Sequence, residues 1–128
     1  MIAPAVGPMP DRRSYRDAIA LVGLDERRGG RYTGLRDRAV LALYAAGLEQ
    51  LEIANLRGTD LEVMRPSGLL RVWISRRAPV KYFDLEFLES STLVAHVQEA
   101  RVYREARRVF ELSCAGIKKI AQRRREPR

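Results

Sequence analysis

The feature that most constrains this chain is a hydrophobic period that changes twice. From Leu35 to Leu56 apolar residues recur at helical spacing, from Leu69 to Leu85 they alternate, and from Ser91 to Phe110 the helical period returns. A helix stripe and a strand face expose different sets of side chains, so neither segment type can stand in for the other. The chain must therefore pack helices against a small sheet. The expected fold class is α+β, mostly helical, with a small three-stranded antiparallel sheet. Its 128 residues suit one domain, and an apolar share of 46% supplies a core.

Local signals give the expected elements. Ser14 to Asp17 reads as a capping box, opening a helix with Tyr15, Ile19 and Val22 on one face and a stop near Gly23. The charged stretch Asp25 to Gly34, with Gly29 and Gly30, reads as a loop. The strongest helix is Arg36 to Ala46, with Leu35, Ala39, Val40, Leu43 and Tyr44 facing one way and Gly47 at a left-handed C-cap. A short helix follows over Glu49 to Leu56. Strands are expected at Leu61–Met64, Leu69–Ser75 and Val80–Leu85, separated by turns at Arg65–Gly68 and Arg76–Pro79. A long helix spans Ser91 to Phe110, with Tyr103 on its apolar stripe. Gly116 interrupts the chain before a last short helix, Ile117 to Arg125. The expected organisation is a flexible arm over 1–13, a domain over 14–112 and a basic C-terminal tail over 113–128.

Charge narrows the partner. Lys plus Arg number 24 against 16 acids, giving a net charge of +8. Such an excess favours a polyanion, because each neutralised phosphate releases condensed counterions. The basic turn Arg76-Arg77 with Lys81, and the cluster Lys118, Lys119, Arg123, Arg124 and Arg125, are the candidate phosphate contacts. One Cys (Cys114) and one His (His96) exclude a disulfide within the chain and a zinc site of ordinary ligand count. The spacing of Asp60, Asp84, Glu86 and Glu89 does not demand a metal, so no metal or other cofactor is expected. A lone Cys fits a reducing compartment. No signal peptide is read at the N-terminus. No run of about 18 apolar residues exists to span a membrane, so no membrane partner is expected and the location expected is cytoplasmic. Trp73, His96 and Cys114 read as structural residues.

Several short words fall in a telling order. Arg36-Asp37-Arg38 opens a helix, Gly47-Leu48-Glu49 follows it, Glu52-Ile53 lies in the next helix, and Leu56-Arg57-Gly58-Thr59-Asp60-Leu61 leads into the hairpin. Over residues 14–110 this resembles the catalytic domain of the tyrosine recombinases, or phage integrases, in a truncated and degenerate form. The resemblance implies DNA as partner, association with the nucleoid, and a link to recombination and integration. It also implies what is missing. That family attacks a DNA phosphate with a tyrosine, and arginines stabilise the transition state through a planar fork that matches two phosphate oxygens. Glu49 stands where its first arginine belongs. Arg76 stands near its hairpin lysine, and arginine is a poor proton donor. Gln122 replaces the histidine of its His-x-x-Arg motif, and only Glu126, Pro127 and Arg128 follow Arg125, leaving the nucleophilic tyrosine no place. No catalytic residue is therefore expected.

The function expected is DNA binding by an integrase-like protein unable to cleave DNA alone. The rival is a protein-interaction or regulatory module, a modulator of a recombinase or of transcription, that uses its apolar helix faces. A domain lacking the later part of the fold leaves such faces uncovered, so a homo-oligomer or a partner recombinase is expected too.

Overall fold

The computed structural model describes residues 12–20, 22 and 30–125, the side chains of 12, 13, 30, 31 and 123–125 excepted. Its elements are α1 (Arg12–Ile19), α2 (Gly30–Ala46), α3 (Gln50–Asn55), a 3-10 turn (Gly58–Asp60), β1 (Leu61–Val63), β2 (Leu70–Ser75), β3 (Lys81–Asp84), α4 (Phe87–Ala100) and α5 (Cys114–Arg125). The fold is α+β, with one antiparallel sheet in the order β1-β2-β3. Residues 1–11 of the arm expected over 1–13, the stop at Gly23, residues 25–29 of the loop expected over 25–34, and residues 126–128 lie outside the described residues.

α2 is the centre of the core. Every residue from Ala39 to Ala45 is buried, which no single apolar stripe would produce. A helix apolar on all sides must be covered on all sides, and α1, α4 and α5 cover it. The expectation that the α2 face stays open is therefore corrected: Ile117, Ile120 and Ala121 of α5 are buried and complete the core. The stretch read as a basic tail is thus in large part a packed helix. Ser113 starts it earlier than expected, its hydroxyl accepting the Gly116 N–H at 3.1 Å. Gly116 lies inside this helix and does not interrupt the chain.

Other boundaries also move. α1 begins at Arg12, so Ser14 lies within its first turn and is not its N-cap; Arg12 and Arg13 are good helix formers. α2 runs back to Gly30 through the stretch read as a loop. Tertiary packing outweighs the glycine cost there, since the Tyr32 ring meets the His96 ring of α4 at 5.6 Å. The words of the Arg36 helix have local uses. Arg36 donates to the buried Asp37 at 3.0 and 3.1 Å. Arg38 donates twice to the Val22 carbonyl beyond α1, at 3.0 and 2.7 Å. Gly47 takes φ 106, as its C-cap place requires.

The sheet turns one face inward. Leu61 pairs with Val72 and Val72 with Phe83. Leu61, Leu70, Val72 and Leu85 are buried. Alternation then puts Glu62, Arg71, Trp73, Tyr82 and Asp84 on the other face. Arg71 donates to Asp84 across the strands at 2.6 and 3.1 Å. This pair raises the Arg71 pKa and lowers that of Asp84.

The largest correction concerns the long helix expected over Ser91–Phe110. α4 starts earlier, at Phe87, and ends at Ala100, where Arg101 adopts a left-handed conformation at φ 56. Residues 101–113 are a strap that crosses to α5. Val102, Val109 and Phe110 are buried, but along a non-helical path. Tyr103, expected in the core, is 36% exposed.

His96 fixes where the strap returns. Fully buried, its ring stacks on Phe110 at 4.9 Å, and its Nε2 lies 3.0 Å from the Val109 carbonyl. That carbonyl can only accept, so Nε2 carries the proton and Nδ1 does not. Burial, first, and then Arg36 hold the His96 pKa below its ordinary value, against the opposing bond to Val109. The unfolded chain therefore takes up a proton before the folded one does. The His96 contribution to stability is complete above the unfolded value of about 6.5 and is lost as pH falls below it. Because His96 is the sole histidine, the melting temperature should drop between pH 7.5 and 5.5 in the native protein, and this drop should shrink in His96→Gln.

Candidate nucleic-acid interface

The β2–β3 turn presents the first expected contacts. Arg76 and Arg77 are exposed at its tip. The Arg76 guanidinium lies over the Trp73 ring at 4.8 Å and donates to the Thr59 carbonyl at 3.2 Å. Both contacts hold the side chain in place without cancelling its charge.

Lys81 is different. Its ammonium is 2.6 Å from the Glu52 carboxylate, and Glu52 is only 13% exposed. The other Glu52 oxygen accepts the Glu49 N–H at 2.8 Å, closing the N-terminus of α3. The hydrogen bond to Glu52, with the further charge of Glu49, raises the Lys81 pKa. Lys81 is thus charged but already matched. Glu52 is thus engaged twice, one oxygen closing the start of α3 and the other holding this lysine.

The expected cluster in the C-terminal stretch sits on α5. Lys118 and Lys119 are exposed on α5, a helix that packs against α1, α2 and α3. The α5 N-terminus is tied to α3, where the Gln50 amide donates to the Cys114 carbonyl at 2.8 Å. Arg123, Arg124 and Arg125 lie in the last turn of α5, and their side chains are outside the described residues.

What joins the hairpin is the strap, which sequence reasoning misses. Residues 101–108 carry Arg101, Arg104, Arg107 and Arg108 against the single acid Glu105, and all five are exposed. The 3-10 turn is the shared anchor. The Gly58 N–H donates to the Arg107 carbonyl and the Thr59 N–H to the Glu105 carbonyl, each at 3.0 Å. The Val109 N–H donates to the Leu56 carbonyl at 2.8 Å. Arg57 and Arg108 form an antiparallel bridge, and the Arg57 guanidinium donates to the Ala106 carbonyl. Thr59 thus carries the strap on its N–H and Arg76 on its carbonyl.

Electrostatic pairing divides the molecule. The ion pairs use Arg16, Arg36, Arg71 and Lys81. Among the described residues, Arg57, Arg76, Arg77, Arg101, Arg104, Arg107 and Arg108 have no acidic partner within ion-pair distance. Exposed charges in water keep their hydration and cost the fold little, so such a surface can hold anions at no structural expense.

Tyr44 is buried, and its phenol is pushed up to about 12, chiefly by burial and then by Tyr15 and Cys114. The two most exposed tyrosines, Tyr82 and Tyr103, lie under Arg71 at 4.0 Å and Arg104 at 5.4 Å. No group of three or more metal-binding side chains occurs among the described residues. No helix among them is long and apolar enough to cross a membrane. Set against known proteins, the chain matches no family model, no curated protein and no solved structure.

The close approach at Gly58 is the testable feature. A Cβ there would lie 1.7 Å from the Val102 carbonyl oxygen and 2.8 Å from that of Glu105, both backbone atoms. Gly58→Ala must push the strap away, and urea denaturation should show a loss of more than about 2 kcal/mol. Gly116→Ala is the contrast: its Cβ meets the Leu112 Cδ2 at 3.2 Å, a side chain that can turn. Helix propensity favours alanine there, so its change should stay within about 1 kcal/mol.

Proposed function

We propose that this chain is a DNA-binding protein of integrase-like architecture that grips the phosphate backbone and does not cleave it alone. On this reading it works at the nucleoid, where it influences recombination, integration or transcription. The observation that carries the reading is the pair Arg76 and Arg77, exposed at the hairpin tip and unmatched by acids, on a chain of net charge +8. Arginine forks suit phosphate oxygens, and contacts of this kind hold DNA without reading its sequence.

The inability to cleave follows from α3. Where the resemblance calls for a phosphate-clamping arginine, Glu49 stands just ahead of α3 and adds negative charge. A carboxylate there repels the phosphate that a cleavage reaction must stabilise. Lys81, the one hairpin ammonium, is held by Glu52.

The rival reading, a protein-interaction module, would have to use surfaces other than α2. The apolar faces of α2 are buried, and the large exposed apolar residues are spread over separate elements, as with Leu51 on α3 and Phe87 on α4. A homo-oligomer or a partner recombinase remains compatible with DNA binding.

Fluorescence anisotropy on a labelled duplex should show binding that weakens linearly with log salt concentration. Arg77→Ala should flatten that slope by about 0.9. Lys81→Ala should flatten it much less, since its charge is already matched. A nicked suicide duplex should give no covalent protein–DNA adduct on a denaturing gel. Salt-independent binding, or an adduct, would overturn the reading.

A further inference from the structure

We infer that the strap over residues 101–108 is itself a phosphate-binding surface for duplex nucleic acid, continuous with the hairpin tip across the 3-10 turn. This inference rests on the DNA-binding reading and extends it to residues that reading does not use.

Three observations carry it. First, the strap is held as a fixed surface. Its carbonyls at Glu105, Ala106 and Arg107 all point into bonds with residues 57–59. The Arg107 guanidinium spans the strap to the Arg101 carbonyl at 2.9 Å. A pre-positioned anion site loses less ordering entropy on binding than a free arm does.

Second, the backbone argues that the arginines are there for their side chains. Arg101 and Arg104 take φ 56 and φ 62, the left-handed region that favours glycine or asparagine. Arginine gains nothing from such a backbone. Both side chains are exposed and neither meets an acid among the described residues.

Third, the exposed composition suits a phosphate chain better than a lipid surface. Tyr103 is the one large exposed apolar side chain of the strap, and the Arg104 guanidinium lies over its ring. A membrane-docking loop would present several apolar side chains for insertion. Arginine forks on a rigid backbone instead match separated phosphate oxygens. Because Thr59 bonds both Arg76 and the strap, one duplex can run from the hairpin tip onto the strap.

The paired substitution Arg101→Gly with Arg104→Gly tests this, since glycine suits both backbone positions and should keep the fold, as the melting temperature will report. Binding of the full chain to a labelled duplex of arbitrary sequence is measured over a salt series. The expected result is weaker binding and a salt slope flatter by about 1.8, for two phosphates no longer neutralised. Glu105→Gln should tighten binding, an effect that a merely structural strap would not produce. Should the glycine pair fail to fold, Arg104→Gln with Arg108→Gln carries the same expectation. If the native chain binds with a steep slope and these variants leave it unchanged, the strap does not touch the duplex while the DNA-binding reading stands. If the folded native chain does not bind the duplex at low salt, that reading falls and the inference with it. Binding only to vesicles of anionic lipid would likewise overturn it.

Discussion

The rest of the structure hangs on one close approach, that of the Val102 carbonyl to the Cα of Gly58. There is no room between them for a side chain. Residues 101–113 leave α4 and must cross the molecule before α5 can form, so α5 reaches α2 only if the strap lies flat on the 3-10 turn. The backbone bonds from Leu56, Gly58 and Thr59 to the strap depend on that flatness. Removing the strap from its seat would also free Phe110, a fully buried ring. Its exposure alone would cost about 1.5–3 kcal/mol.

That seat has an electrostatic consequence. Several cations elsewhere meet acids: Arg16 meets Glu86 and Glu89, Arg71 meets Asp84, and Lys81 meets Glu52. At the 3-10 turn the chain brings hairpin tip and strap together with Asp60, Glu105 and Glu62 among the nearby acids, Glu62 accepting the Trp73 indole N–H at 3.0 Å. Asp60 accepts the Arg57 N–H at 2.9 Å and so is committed to the turn itself. Like charges gathered on one surface repel each other, modestly in water. Fixing them there by backbone bonds, through Gly58 and Thr59, means that the cluster does not rely on its own side chains for its shape.

The parts legible in the sequence were those whose signals are local. Period and turn residues gave α3 to within a residue at each end, the three antiparallel strands, and the Gly47 cap, because each answers to neighbours a few positions away. The strap was not legible, because its apolar residues Val102, Ala106 and Val109 mimic a helical stripe and its arginines are good helix formers. Nothing local marks the break at Arg101; the cause is Gly58, far earlier in the chain. A glycine inside Arg57-Gly58-Thr59 is a hint of close backbone approach, but it does not say what approaches. The candidate site was legible in the same uneven way. Arg76 and Arg77 could be read from a turn. The neutralisation of Lys81 by Glu52 and the arrival of the strap arginines both required the fold.

The α3 acids bear on why binding and cleavage can separate in a scaffold of this kind. Cleavage needs charge focused on a single phosphorus, with donors held where the transition state places its oxygens. Binding needs only charge spread along a strand, and tolerates the removal of any one cation. Glu49 and Glu52 act on the first requirement and hardly touch the second. They close α3 and hold Lys81, at one end of the β2–β3 hairpin, while Arg76, Arg77 and the strap arginines stand unmatched at the other side of the turn. On the proposed reading, two carboxylates in a six-residue helix and its cap stand where cleavage would need a focus of positive charge, while a basic surface remains in place. On the proposed reading, this separation is what lets the chain hold DNA that it does not cut.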